Sequence, residues 1–297
     1  MRHRSRGASL VSVMLALSLS LGIVLSALHL NAQAELLHQR ARHLWLLEDQ
    51  ANQLLELIER LLQEAGYVDV TKPMSFMPAR PLQGAVDGAD NAIWLANTPT
   101  GFTTGKSVSL ASDLLHLRLR GDATGMVVDC AGFAIPAASA TDDMSGRVVL
   151  YIGLDPLNEP ELRCQFRGAS QWTSQAIASG VLSLQIRFGI DTDNDNLPNY
   201  FVNATQLAAE AERQSASEIS LRTRIVAVHV ALLMRSTQRL GSPKITEPFN
   251  LFGGFASSCF GNQDADAKIQ PAQLKSNRLY RQFDKVIFLK NSLRPDA

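Results

Sequence analysis

The sequence predicts an α+β fold in which one long N-terminal helix packs on an antiparallel β-sheet domain. Three observations predict it. The pattern is helical from Ala8 to Gly66, first apolar on all sides and then along one stripe. Short runs of strand alternation begin at Leu115 and recur to Leu289. Between the two lies a stretch, 67–106, whose Pro73, Pro78, Pro81 and Pro99, with Gly84, Gly88, Gly101 and Gly105, forbid long regular elements. Strand runs after a single long helix belong to the α+β class.

The chain opens with a basic tip, Met1 to Arg6, then Gly7, then an uncharged run from Ala8 to Asn31. No Asp or Glu precedes Glu35, and no Lys or Arg lies between Arg6 and Arg40. Roughly 20 such residues at about 1.5 Å each make a helix about 30 Å long, the thickness of a bilayer core. Arg2, Arg4 and Arg6 keep the tip cytoplasmic and place the residues beyond 31 across the membrane. A cleavable secretory signal shares these features, with Asn31-Ala32-Gln33-Ala34 as its cleavage site. The residues that follow favour a continuing helix. Leu37, Ala41, Leu44, Ala51, Leu55, Ile58, Leu62 and Ala65 recur in helical steps broken only at Glu48, and Gly66 supplies a stop. The opposite face carries Glu35, Gln39, Arg40, Glu56, Glu59 and Arg60. Within the apolar run, Ala8, Ser12, Ala16 and Ser20 form one ridge of small residues and Ser18, Gly22 and Ser26 another, a spacing that lets membrane helices approach closely.

The segment Arg6-Gly7-Ala8-Ser9-Leu10-Val11 resembles the type III signal of type IV pilins and pseudopilins. Gln63-Glu64-Ala65-Gly66-Tyr67 and Ser112-Asp113-Leu114-Leu115-His116-Leu117-Arg118-Leu119 narrow the resemblance to PilW-type minor pilins. So do Gly189 to Asp195, Ile225 to Ser236, and Val286-Ile287-Phe288-Leu289-Lys290-Asn291. The motifs run from end to end, and it is their order that persuades. The resemblance implies a type IV pilin-like fold. It also implies that a prepilin peptidase cuts after Gly7 and methylates the new N-terminus at Ala8. The domains are then a leader, 1–7; the transmembrane half of the helix, 8–31; its amphipathic half, 32–66; and a periplasmic β-rich domain, 67–297. Implied partners are other minor pilins, the major pilin, the peptidase and the inner-membrane assembly platform. One departure stands out: pilins usually carry glutamate at the fifth mature position, and here that position is Ser12. A carboxylate in hydrocarbon is expensive unless paired, so its loss removes both a cost and a docking partner. Ser12 fits local drift, or a subunit that needs no amine partner in its own slot, such as one near a filament tip.

Composition sets modest bounds. The 297 residues carry 28 basic and 28 acidic side chains, and loss of Arg2, Arg4 and Arg6 with the leader leaves 25 against 28. No electrostatic footprint for nucleic acid is present. A hydrophobic content of 46% is ordinary for a globular chain and argues against disorder.

Along the domain, Trp94 is expected to anchor the irregular stretch by packing. Leu115, Leu117 and Leu119 alternate with His116, Arg118 and Arg120 as a half-buried strand. Met126 to Val128, Val148 to Ile152, Leu162 to Phe166, Val181 to Ile190, Arg222 to Met234 and Leu279 to Leu289 are the further strand candidates, and Leu207 to Ala216 a short helix. One face of the sheet is the natural partner for the helix stripe.

Of three cysteines, Cys130 and Cys164 sit at strand edges and are the candidate disulfide, leaving Cys259 as the odd thiol. Closing such a loop adds roughly 3–4 kcal/mol in the chain-entropy model. With no CxxC, zinc is disfavoured. The candidate metal site is Asp191-Thr192-Asp193-Asn194-Asp195-Asn196, whose alternating Asp191, Asp193 and Asp195 resemble the first half of a calcium-binding EF-hand loop. The match then fails, with Asn196 where glycine belongs and Val202 where a bidentate glutamate belongs. Asn199, the Leu197 carbonyl or Glu210 are the remaining ligand candidates, and a solvated turn is the alternative. No cofactor is required by any motif. The six histidines are scattered, and GxSxG, HExxH and phosphate-loop patterns are absent, so no catalytic residue is named and an enzyme is not expected. His116 and His229 read as sheet-surface or packing residues. The expected function is that of a minor pilin in type IV pilus assembly, in a priming or tip complex, with a link to twitching motility. A type II secretion pseudopilin and a membrane-tethered periplasmic binding protein are the alternatives.

Overall fold

The computed structural model describes residues 10–65, 112–119, 121, 124–135, 146–167, 172–203, 206–207, 224–239, 245–253, 268–274 and 277–290. Gly7 and Ala8, Trp94 with the 67–106 stretch, Cys259, Glu210 and most of the expected 207–216 helix lie outside these residues. The chain divides into two compact units, Met1–Leu46 and Leu47–Ala297.

In the first unit the chain is helical from Leu10, as part of α1, Leu10–Glu64. This segment is long and apolar enough to cross a membrane, and none of its apolar window is buried within the protein. Leu15, Leu17, Leu21, Ile23 and Leu28 all lie exposed. The serines do not spoil the apolar surface. Ser18 Oγ donates to the Leu15 carbonyl and Ser20 Oγ to the Leu17 carbonyl, each at 2.9 Å, and Ser26 Oγ donates to the Gly22 carbonyl at 2.8 Å. These three hydroxyls are satisfied by the helix itself, as a lipid-facing polar group must be.

In the second unit the last turns of α1 bury Leu47, Ala51, Leu54, Leu55, Ile58, Leu61 and Leu62, one stripe at helical spacing. The stripe packs against two antiparallel sheets in a single apolar core. The first sheet holds β1, Leu115–Arg118; β2, Arg147–Leu154; β3, Pro160–Arg167; and β4, Trp172–Ser179, in that spatial order. The second is built from β5, Val181–Ile190; β6, Tyr200–Val202; β7, Ile225–Arg235; and β10, Tyr280–Phe288, in the order β10-β7-β5-β6. A small pair, β8, Phe249–Asn250, and β9, Lys268–Ile269, completes the strands. Glu48, the residue that interrupts the apolar register of the helix, lies at the rim of the stripe and pairs with Arg281 of β10. Further along, Glu59 accepts from Lys285 Nζ at 2.6 Å.

Two expectations are corrected. A second sheet appears where one was expected, and β5 and β7 are buried along their whole lengths. The polar residues that alternate along β5, Ser183, Gln185 and Arg187, are therefore buried too. The reason is a second apolar cluster on that sheet's far face, where Leu251, Phe252 and Ile269 cover Leu182, Ala231 and Leu233. Met126 to Val128 forms no strand; only an isolated bridge links Val128 to Ala134. The strand β4 was not expected at all.

Segment 112–114, just ahead of β1, ties the two sheets together. Asp113 N donates to the Leu184 carbonyl at 2.7 Å, Leu184 N donates to Ser112 Oγ at 3.0 Å, and Ile186 N donates to Asp113 Oδ2 at 2.7 Å. Side chains thus serve backbone groups of β5 as a neighbouring strand would, and Asp113 and Ser112 are buried in doing so. A single residue, Gly180, joins β4 to β5. Its φ of 80° is left-handed, and a Cβ there would lie 2.5 Å from the Arg235 carbonyl oxygen, so only glycine fits.

Candidate functional site

The acidic segment follows β5 and leads into β6. Asp191 ends the strand and is buried, while Asp193 and Asp195 are exposed. The buried carboxylate organises the turn: Asn194 N donates to its Oδ1 at 2.7 Å and Asn196 N to its Oδ2 at 2.9 Å. Leu197 N donates to Asp195 Oδ1 at 2.7 Å, and Asn199 Nδ2 to Asp193 Oδ2 at 3.3 Å. Asn199 Oδ1 accepts from both Thr192 N and Thr192 Oγ1, at 2.6 and 2.8 Å. Asn194 and Asn196 have φ of 66° and 69°, the left-handed region that asparagine tolerates best after glycine. Asn196 can therefore stand where a cation loop usually wants glycine. One carboxylate oxygen from each of Asp191, Asp193 and Asp195 lies within 4.8 Å of the others, close enough to share a hard cation. Each of these carboxylates also accepts at least one hydrogen bond that shapes the turn.

The hairpin between β2 and β3 uses the same device with one carboxylate. Asp155 Oδ1 accepts from Leu157 N at 2.7 Å and Glu159 N at 2.8 Å, and Asn158 has a φ of 61°. Glu159 then reaches the second sheet. It pairs with Arg235 of β7 through Oε2 and accepts from Arg278 Nη2 through Oε1 at 2.9 Å. Both guanidiniums are buried. Desolvation holds the Arg235 group below its ordinary pKa, and the neighbouring Arg278 charge adds to that, while Tyr280 and Asp155 oppose it. Arg278 also donates to the Ser236 and Thr237 carbonyls, at 2.8 and 2.6 Å. No local pattern along the chain marks this cluster, because its members are 76 and 119 residues apart.

His229 is buried on β7 and is held as a packing residue. Its Nε2 lies 2.8 Å from Asp284 Oδ2, and its ring stands edge-on to Phe201 and Phe252 at centroid distances of 5.7 and 4.9 Å. Cys130 and Cys164 form a disulfide, with Cα atoms 6.4 Å apart, that fastens the 127–135 loop to β3. His229 and Asp284 make a pair without the further groups that nucleophilic catalysis needs. The surface left for function is therefore the exposed apolar half of α1 and the outer faces of the β domain.

Comparison with known proteins bears on this architecture. The family model described as type IV pilus-assembly protein W matches residues 149–291. That span runs from β2 through β10 and includes the acidic turn, Arg235 and His229. A solved structure, a type IV-like pilin from Thermus thermophilus, is similar over 84% of this chain and 98% of its own, at 13% identity and a TM-score of 0.40. No curated protein matches. With the PilW signature across the β domain and one long apolar helix ahead of it, the chain is a PilW-type pilin.

Proposed function

We propose that this protein is a minor pilin that takes part in type IV pilus assembly within a priming or tip complex. The observation that carries the reading is α1. One uninterrupted helix is apolar and exposed on every side in the first unit, then buries a single stripe in the second. A helix apolar all round is stable only in lipid or among other apolar helices. The first half is thus suited to wait in the inner membrane, with the β domain in the periplasm, and to pack later among the helices of other pilins. Ser12 supports a place near the tip, since a subunit without the usual carboxylate has no negative charge to meet a neighbour's N-terminal amine. Prepilin peptidase cleavage after Gly7 and methylation of Ala8 belong to this reading. So does calcium at the acidic turn, which the approach of three carboxylates supports.

Gly7→Glu tests the reading. Next to the scissile bond only glycine is expected to serve, so the variant should retain Met1, stay out of pili and reduce twitching. Mass spectrometry of the wild type should show Ala8, methylated, as its N-terminus. A wild type that retains Met1, or begins near Glu35, would sink the assignment. For calcium, chelator should lower the melting temperature of wild type but not of Asp193→Asn/Asp195→Asn. Identical melts with and without millimolar calcium would reduce the turn to its hydrogen bonds.

A further inference from the structure

An edge strand offers unpaired backbone groups to other chains, and folded proteins blunt such edges with shortness, charge or proline. The described edges of this domain are blunted unequally. In the first sheet β1 has four residues and carries Arg118. In the second, β6 has three residues, and β10 carries Arg281, Asp284 and Lys285. At the other edge of the first sheet β4 has none of these protections. Its eight residues, Trp172-Thr173-Ser174-Gln175-Ala176-Ile177-Ala178-Ser179, contain neither charge nor proline. Among the described residues β3 is its only strand partner. Thr173, Gln175, Ala176 and Ser179 are exposed, whereas Ile177 and Ala178 pack on the core and hold the strand in place. Eight residues at about 3.3 Å each present an edge of roughly 26 Å, with alternate N–H and C=O groups turned outward.

We propose that β4 is an interface strand and that it pairs antiparallel with β4 of a second copy of this chain. Length and charge select that occupant. Pairing β4 with itself matches eight residues with eight and brings no charge to the seam, whereas β10 would bring three charged side chains and β1 and β6 are too short to cover the edge. The pairing is isologous, with a two-fold axis perpendicular to the sheet. It sets Gln175 opposite Gln175, or Ala176 opposite Ala176, and neither register meets a like-charge penalty. The first sheets of two copies then continue edge to edge. This inference is read from the edge alone and stands or falls apart from the pilus reading.

The test uses the full-length chain in detergent micelles. Analytical ultracentrifugation should show a dimer that dissociates on dilution. Gln175→Lys/Ala176→Lys should be monomeric throughout, with the circular dichroism and melting curve of wild type. In a Cys259→Ser background, Gln175→Cys or Ala176→Cys should crosslink copy to copy on mild oxidation, and Thr192→Cys, on the acidic turn, should not. A wild type that is monomeric throughout the dilution series overturns the proposal. So does a dimer that survives both lysines, which would assign association to α1, and so does a crosslink from position 175 or 176 to a different polypeptide or within one chain.

Discussion

The part of α1 before Leu47 and the part after it share a backbone and differ in everything around it. Before Glu35 the helix carries no charged residue, and its leucines are exposed on all sides. After Leu46 the apolar residues narrow to one stripe, with glutamates at its rim paired to β10. Helix propensity does not account for the difference, since leucine and alanine serve both parts. What differs is the intended surroundings. An all-round apolar surface has no single inside and suits lipid, which is as apolar as leucine. A stripe has an inside and needs one particular neighbour. The same helix can thus tether the chain and form part of a folded core, and the substitution that ruins one role should leave the other intact.

The largest expected effects separate the two roles completely. Ile58→Asp places an unpaired carboxylate at a position with 0% exposure, and the β domain should fail to fold, seen as loss of protease resistance. Leu21→Asp should leave the domain folded but weaken membrane insertion, at about 2.5–3.5 kcal/mol near the bilayer centre. A folded domain in Ile58→Asp, or an unfolded one in Leu21→Asp, would abolish the distinction. Truncation without charge gives a milder version. Ile58→Ala should lower domain stability by about 2–5 kcal/mol, and Leu21→Ala should not move it, as read by urea denaturation in micelles.

How much of this was legible in the sequence depended on how far a residue's partners lie along the chain. The helix was read nearly to its ends, and β5 was expected at Val181 to Ile190, the bounds it has. Both carry their signal in local periodicity. β4 was missed because Ser174, Gln175 and Ala176 are neither β-branched nor alternating; it is a strand because β3 pairs with it. Met126 to Val128 looked like a strand but found only one bridging partner, Ala134. Asp113 could be recognised within a motif, yet its task at Ile186 N, 73 residues away, could not. The acidic turn was visible as a cluster. That Asp191 is its buried organiser was not, since burial comes from the surrounding fold.

A finer contrast lies at the rim of the stripe. Glu59 and Lys285 are each about one-third exposed, so their contact should contribute little. A double-mutant cycle with Glu59→Gln and Lys285→Met should give a coupling of about 0.2–1 kcal/mol that fades with added salt. A coupling several times larger would mean that the rim, and not the stripe, fixes the helix on the sheets.

The smallest effect concerns Glu64, at the end of α1, where the stripe gives way to polar residues. Its Oε2 is buried without a hydrogen-bond partner. Burial raises its pKa above the ordinary carboxylate value, and the nearby Arg60 charge offsets only part of that. The sign follows from proton counting. Between the ordinary and the raised pKa the folded chain holds a proton that the unfolded chain has released. The stabilising contribution is therefore fully present below the ordinary value and is lost as pH rises through the raised one. At neutral pH the wild type carries a half-buried, poorly solvated charge that an amide of the same shape would not. Glu64→Gln should accordingly be the more stable chain at neutral pH, and its advantage should shrink as pH falls through the carboxylate range. Urea titrations of the two chains at neutral and acid pH measure that difference. An advantage for the amide variant that grows toward acid pH would show that the carboxylate is stabilised in the fold, and that the stripe ends before Glu64.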